Sequence, residues 1–464
     1  MSKRVALSVL SIALALALAA CQKAEAPKPA ASAAPAAAPA PATPAASFAH
    51  VESFDEGLAK AKAEGKAVLV DAWAPWCHTC LSMQNYVLND PSLAPLAERV
   101  VLVELDTDKP ENAAFLEKYT VSVWPTFFVI DPASGEATGL WPGSASVNEF
   151  RGFVQDGLAA IEAKGANPDS PEALSASAKS KQATGDWAGA AKDYALVVEK
   201  APADWPRRSE ALMGWVFSLA QAKDNAQCIK VGRAHLAEVK GAAVPADYAS
   251  TLLGCADEAK EGEAKLAHAE AVARLKEFTA NPPAEASADD RADAWNTLSY
   301  TLADDGDEAG AQAAQEQRLA VLEKAAAGIQ DPLLAQTFDY QRAQAYVALK
   351  RGDEAVKMLE AREKELPNSY EPPARLASAL SKMDKLPEAL VAIDRAIAKS
   401  YGPRQLLYVK QKADIQGRMG DHAGQVETLK QEVAGYEALA KGHARPEGLE
   451  DAKKRLAEAQ KQGA

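Results

Sequence analysis

Two hydrophobic rhythms divide the chain from residue 48 onward. Phe54, Leu58 and Ala61 recur at helical spacing and lead into Ala67-Val68-Leu69-Val70-Asp71-Ala72-Trp73, a short apolar run that predicts a buried strand. Ala74-Pro75-Trp76 turns the chain into a short helical stretch starting at Cys77, and a second apolar strand runs from Val100 to Leu105. A helix is expected from Glu111 to Tyr119, then a strand from Val123 to Ile130 entered through Pro125. A turn from Asp131 to Gly135 follows, and Gly139 to Gly143 leads into a final helix. This alternation predicts an α/β domain, a central mixed sheet flanked by helices, over residues 48–165. From about Asn167 the period becomes purely helical, with breaks at Gly, Asp, Asn or Pro and no comparable strand-like run.

The helical part carries an internal repeat. Ala355 and Ala389 lie 34 residues apart, as do Leu359 and Ile393, and each alanine opens an apolar helical face. Gly185-Asp186-Trp187 with Ala190, Tyr194 and Pro202, and Ala355 and Leu359 with Pro367, resemble tetratricopeptide repeats. The resemblance implies an all-α superhelix over residues 166–464, with turns expected at Gly306-Asp307, Gly352-Asp353 and Gly420-Asp421. Stacked helix pairs of this kind present a concave face that holds a peptide or another protein; the other use of such an array is to space or dimerise its neighbour.

Composition supports the division. A chain of 464 residues is long enough for several folding units, and 48% hydrophobic residues with only 6% aromatics is an alanine excess that suits closely packed helices. The net charge of -13 argues against nucleic acid as a partner. Lys3 and Arg4 precede an apolar run from Val5 to Ala17, the layout of a secretory signal over residues 1–20. Its ending, Leu18-Ala19-Ala20-Cys21, resembles the lipobox of bacterial lipoproteins, which implies a lipid on Cys21 and attachment to a membrane facing the periplasm. Gln22 in place of an aspartate leans toward the outer membrane. Residues 21–47, nearly all Ala and Pro, cannot bury a core and are expected to act as a tether several tens of Å in reach. No later apolar stretch is long enough to span a bilayer, so a soluble remainder is expected.

Beyond Cys21, four cysteines form two pairs. Cys77 and Cys80 make a C-x-x-C motif. Thiol-disulfide exchange needs one exposed, stabilised thiolate and a second thiol near enough to resolve the mixed disulfide, and two intervening residues supply that geometry. A helix starting at Cys77 favours its thiolate, so Cys77 is the expected nucleophile and Cys80 the resolving thiol. His78, when protonated, adds positive charge nearby; the poise between reductant and oxidant stays open.

The run Val70-Asp71-Ala72-Trp73-Ala74-Pro75-Trp76-Cys77-His78-Thr79-Cys80 resembles the active-site segment of thioredoxin-fold proteins, together with Asp106-Thr107-Asp108-Lys109, Trp124-Pro125-Thr126 and Gly143. Ala59-Lys60-Ala61, Gly65-Lys66 and Asn89-Asp90-Pro91 are most similar to the periplasmic reductant-carrying domain of DsbD. The resemblance implies that Asp71 relays a proton to or from the resolving thiol, and that Pro125 is cis and leaves Trp124 to pair with an extended substrate, with Trp76 and His78 at the site wall. Glu104 stands about where thioredoxin has a lysine. The expected chemistry uses no cofactor beyond the cysteine pair. Expected partners are client thiols or disulfides, a membrane electron donor or another thiol oxidoreductase, and proteins held by the repeats. The competing class is a non-catalytic envelope scaffold.

No second C-x-x-C and no paired histidines accompany the motif, so no metal site is expected. His50, His235, His268, His422 and His443 are scattered and read as surface residues. Cys228 and Cys255 lie nearly symmetrically about Gly241, at similar heights of an antiparallel hairpin over 225–239 and 246–260. That placement suits a disulfide, and two buried thiols are the alternative.

Overall fold

A computed structural model describes residues 48–163, 167–257 and 262–462. The signal at 1–20, the Cys21 anchor and the tether at 21–47 lie outside the described residues.

The first part is a five-stranded sheet in the order β1-β3-β2-β4-β5. Its strands are β1 (His50–Val51), β2 (Ala67–Trp73), β3 (Val100–Asp106), β4 (Thr126–Ile130) and β5 (Ala137–Pro142). β1, β3 and β2 pair in parallel, whereas β4 runs antiparallel to β2 and β5 antiparallel to β4. β2 is central and covered on both sides, which is why it reads as a continuous apolar run. Leu69 faces a core with Phe127, Phe150 and Phe153, and its neighbours Val68 and Val70 face another with Phe115, Tyr119 and Phe128. Five helices flank the sheet: α1 (Phe54–Glu64), α2 (His78–Met83), α3 (Ala94–Ala97), α4 (Ala113–Lys118) and α5 (Val147–Glu162). β5 is absent from the pattern-based reading because Ala-Thr-Gly-Leu-Trp-Pro, with a glycine and a proline, has little strand character of its own; pairing with β4 at the sheet edge makes it a strand.

Fifteen helices follow among the described residues. They are α6 (Pro171–Ala183), α7 (Trp187–Lys200), α8 (Arg208–Gln221), α9 (Asn225–His235), α10 (Val244–Ala256), α11 (Gly262–Ala280), α12 (Ala288–Asp304), α13 (Glu308–Ala326), α14 (Pro332–Ala348), α15 (Gly352–Glu365), α16 (Glu371–Lys382), α17 (Leu386–Lys399), α18 (Gly402–Met419), α19 (His422–Ala438) and α20 (Pro446–Gln462). Sequential helices pack as pairs, α6 with α7 through α18 with α19, and α20 covers the end. Ala355, Leu359, Ala389 and Ile393, the residues that set the repeat, are all fully buried at equivalent positions of α15 and α17. Within pairs, Gly185, Gly306 and Gly420 take left-handed φ and the next residue, Asp186, Asp307 or Asp421, caps the following helix. Gly352-Asp353 departs from this expectation. The left-handed residue of that turn is Lys350, and Gly352 already begins α15, where a side chain would collide with Met383. Cys228 and Cys255 are joined, with Cα atoms 6.2 Å apart, between α9 and α10.

The described residues form one compact unit, with the helical array packed against the sheet domain at several places. α6 packs on β5, α12 and α14 on α2, and the short turn Lys441–His443 on α4. Among the described residues no helix is long and apolar enough to cross a membrane.

Candidate active site

β2 and the turn that leaves it build the site. Asp71 lies on the Leu69 face of β2, fully buried, and accepts a hydrogen bond through Oδ2 from Nε2 of Gln84 at 3.2 Å. Gln84 follows Cys80 by one helical turn, so the carboxyl sits under the helix that carries the cysteines. Burial pushes the Asp71 pKa up to about 8, and Glu104, its register partner on β3, adds to the rise. Its Oδ1 has no hydrogen-bond partner among the described residues. Glu104 is itself raised by burial, against the pull of His50 3.5 Å away.

Cys77 occupies the N-cap of α2, where its Sγ accepts the Cys80 backbone N–H at 2.9 Å. The two sulfurs are bonded, with Cα atoms 5.2 Å apart. A donor aimed at Cys77 Sγ favours a thiolate there once the bond is reduced, so the geometry gives the outer sulfur the nucleophile's environment and the inner one, Cys80, no exposure at all. The Trp124-Pro125 peptide is cis, and the Trp124 indole donates to Thr107 Oγ1 and packs against Trp76.

The face that the sequence offers to a client is occupied by the chain's own repeats. Cys77 is only 5% exposed. Arg375 of α16 donates to the carbonyl of Trp76 at 3.1 Å, and the Arg404 guanidinium of α18 lies 4.5 Å from the centre of the Trp76 ring, whose Nε1 donates to Asp108. His78 Nδ1 meets Asp289 Oδ1 of α12 at 2.8 Å, and its Nε2 faces Asp293 at 3.9 Å. Tyr340 of α14 stacks on the imidazole, with Arg375 over that same tyrosine. Farther out, Asn85 donates to Thr337, Tyr401 to Asp106 and Ser144 to Asp290. A cavity of about 190 Å³ lined by Tyr340, Arg375, Arg404 and Tyr408 adjoins this seam.

Sequence reasoning thus names Cys77, Cys80, Asp71, Trp76, His78, Trp124 and Pro125, which the structure brings to one place, and misses every residue that closes it. His443, read as a surface residue, is 1% exposed, and its Nε2 lies 2.9 Å from the Thr107 carbonyl. His78, Asp289 and Asp293 converge closely enough to suggest a cation site. Their ligand atoms lie within 4.8 Å of one another, and the placement of one carboxylate beside each ring nitrogen also suits a charged imidazolium.

Residues 49–132 match a family model described as thioredoxin-like, and the sheet unit is a thioredoxin-like domain. The chain is 30% identical over 117 residues to the thiol:disulfide interchange protein DsbD of Pseudoalteromonas atlantica, a match covering 25% of this chain and 18% of that protein. It is 29% identical over 92 residues to protein disulfide-isomerase 1 of Dictyostelium discoideum, covering 20% and 25%. The chain therefore spans a quarter or less of these curated relatives. A tetratricopeptide repeat protein from Parabacteroides merdae aligns over 62% of this chain and 98% of its own at 13% identity, with a TM-score of 0.41. The repeat reading stands on the chain's own 34-residue spacing and paired helices.

Proposed function

We propose that this protein is a thiol-disulfide oxidoreductase acting on protein disulfides, anchored in the periplasm through Cys21, with the reductase direction favoured and the repeat array binding client or electron-donor proteins. The observation that carries the reading is the bonded Cys77–Cys80 pair at the start of α2 above a buried carboxyl that holds its proton at neutral pH. An inert staple would need neither that carboxyl nor the amide aimed at Cys77 Sγ.

In the reductase direction, the Cys77 thiolate attacks a client disulfide, forming a mixed disulfide and expelling one client thiolate, which takes a proton from water. Cys80 gives its proton to Asp71 in the ionised form that is the minority at neutral pH, and attacks Cys77 Sγ, releasing the second client sulfur. Two electrons pass to the client, the Cys77–Cys80 bond forms, and Asp71 is left protonated. The DsbD and isomerase relatives are named for thiol-disulfide chemistry, which supports the reaction class. Because the repeats cover Cys77, a protein client requires the α12–α14–α16 face to part from α2.

Equilibration of the full chain with glutathione tests this. The proposal expects complete exchange of the Cys77–Cys80 pair and a potential near thioredoxin's, about -270 mV; a value near about -120 mV reverses the direction of flow, and a pair that does not exchange overturns the reading.

A further inference from the structure

The centre of the redox loop contains a residue whose environment comes from a distant part of the chain. His78 stands between the two cysteines, and among the described residues every polar group that addresses its ring belongs either to Thr79 or to the repeat array. Asp289 meets Nδ1, with Thr79 Oγ1 at 3.3 Å and Gln341 Nε2 at 3.2 Å from the same nitrogen, while Asp293 faces Nε2. Asp289 is 1% exposed, and Gln341 donates to its Oδ1 at 2.8 Å, which fixes that carboxylate against the ring. Arg318, also buried, holds Gln341 from behind by donating to its Oε1. Tyr340 covers the face of the imidazole, and the Arg375 cation lies beyond that ring.

We propose that Asp289 and Asp293 of the repeat array are positioning residues of the redox site: they hold His78 as an imidazolium beside Cys77 and thereby set the equilibrium between the disulfide and the dithiol.

The physical basis is local charge. Burial works against a charged His78, but the carboxylates outweigh it and the Arg375 charge, and the pKa rises to about 9. The cation is next to Cys77 in the chain, so its field reaches Cys77 Sγ, offset in part by the carboxylates that face its two ring nitrogens. Such a field favours the thiolate, stabilises the reduced form and makes the pair more oxidising. Reduction consumes two electrons, with two glutathione thiols becoming one glutathione disulfide, one proton going to Cys80 and the other to solvent as Cys77 stays a thiolate; His78 keeps its proton throughout. The array is then part of the redox chemistry as well as a cover over it.

This inference rests on the proposed exchange activity, and the test separates the two. The full chain is equilibrated with glutathione buffers, and the redox state of the Cys77–Cys80 peptide is read by alkylation and mass spectrometry, which leaves Cys228–Cys255 out of the signal. If the wild-type pair exchanges, Asp289→Asn is expected to move the equilibrium constant about tenfold toward the disulfide, about 30 mV for a two-electron couple. Asp293→Asn, whose side chain is 43% exposed and whose replacement leaves the packing undisturbed, is expected to move it severalfold in the same direction. In a His78→Ala background neither substitution should change it further. An unchanged constant in both variants, a shift toward the dithiol, or a shift of equal size without His78 overturns the inference. A wild-type pair that fails to exchange overturns the function itself.

Discussion

His78 Nδ1 and Asp289 Oδ1, 211 residues apart in the chain, lie 2.8 Å from each other across the seam between the sheet domain and the repeats. That contact places a repeat helix directly on the motif that carries the chemistry. With Arg375 on the Trp76 carbonyl and Tyr401 on Asp106, it makes the array a wall of the site.

Loosening the wall should expose the cysteines. Tyr401→Phe and Asn85→Ala each remove one hydrogen bond across the seam while leaving the charges paired, at about 1 kcal/mol apiece, so the double variant should raise the open population by roughly 10- to 30-fold. The rate at which a protein-sized reductant cleaves Cys77–Cys80 should rise by that factor, and the rate with dithiothreitol much less. Equal acceleration of both would mean that the seam does not control access.

Asp71→Asn keeps the shape and the Gln84 contact but removes the proton carrier. Release of a mixed disulfide by Cys80 should slow on the order of 100-fold at pH 7, while formation of that mixed disulfide by Cys77 should change little. Rapid-quench separation of the two steps checks this; equal slowing of both would place Asp71 in a structural role.

The pH dependence of stability follows from groups whose folded-state pKa lies above its ordinary value. Burial raises Asp71 to about 8 and Asp108 to about 6, and His78 stands at about 9. Each contributes stability that is complete below its ordinary pKa and is lost as pH rises through the raised one. Asp289, lowered by His78 despite its burial, acts oppositely and only in acid. Thermal unfolding of the oxidised chain should therefore move down by about 2–5 °C between pH 5 and pH 9, and Asp71→Asn should flatten the part of the curve above pH 6. A transition that rises over that range would contradict the assignment of buried protons.

Much of this was legible from residues alone, and the division has a physical cause. The Val70 to Cys80 run specifies a buried strand, a turn and a helix start locally, so Asp71, Cys77 and Cys80 fall into place without long-range information. The 34-residue spacing of Ala355 and Ala389 likewise reports nearest-neighbour packing. Asp289 and Asp290 read instead as acidic first-turn residues of an ordinary capped helix, which they also are. That α12 lands on α2 depends on the small rotation accumulated over several helix pairs, a quantity no local pattern encodes. His443 escapes notice for the same reason: its burial depends on where the far end of the array returns to α4.

The most direct test of the account is capture of a mixed disulfide in the full chain. Cys80→Ala is reduced, mixed with a disulfide-containing protein substrate such as insulin, and analysed by non-reducing electrophoresis and peptide mapping. The account predicts a covalent adduct through Cys77, absent in Cys77→Ser and more abundant when Tyr401→Phe and Asn85→Ala are added. No adduct at Cys77, even with the seam loosened, would contradict it.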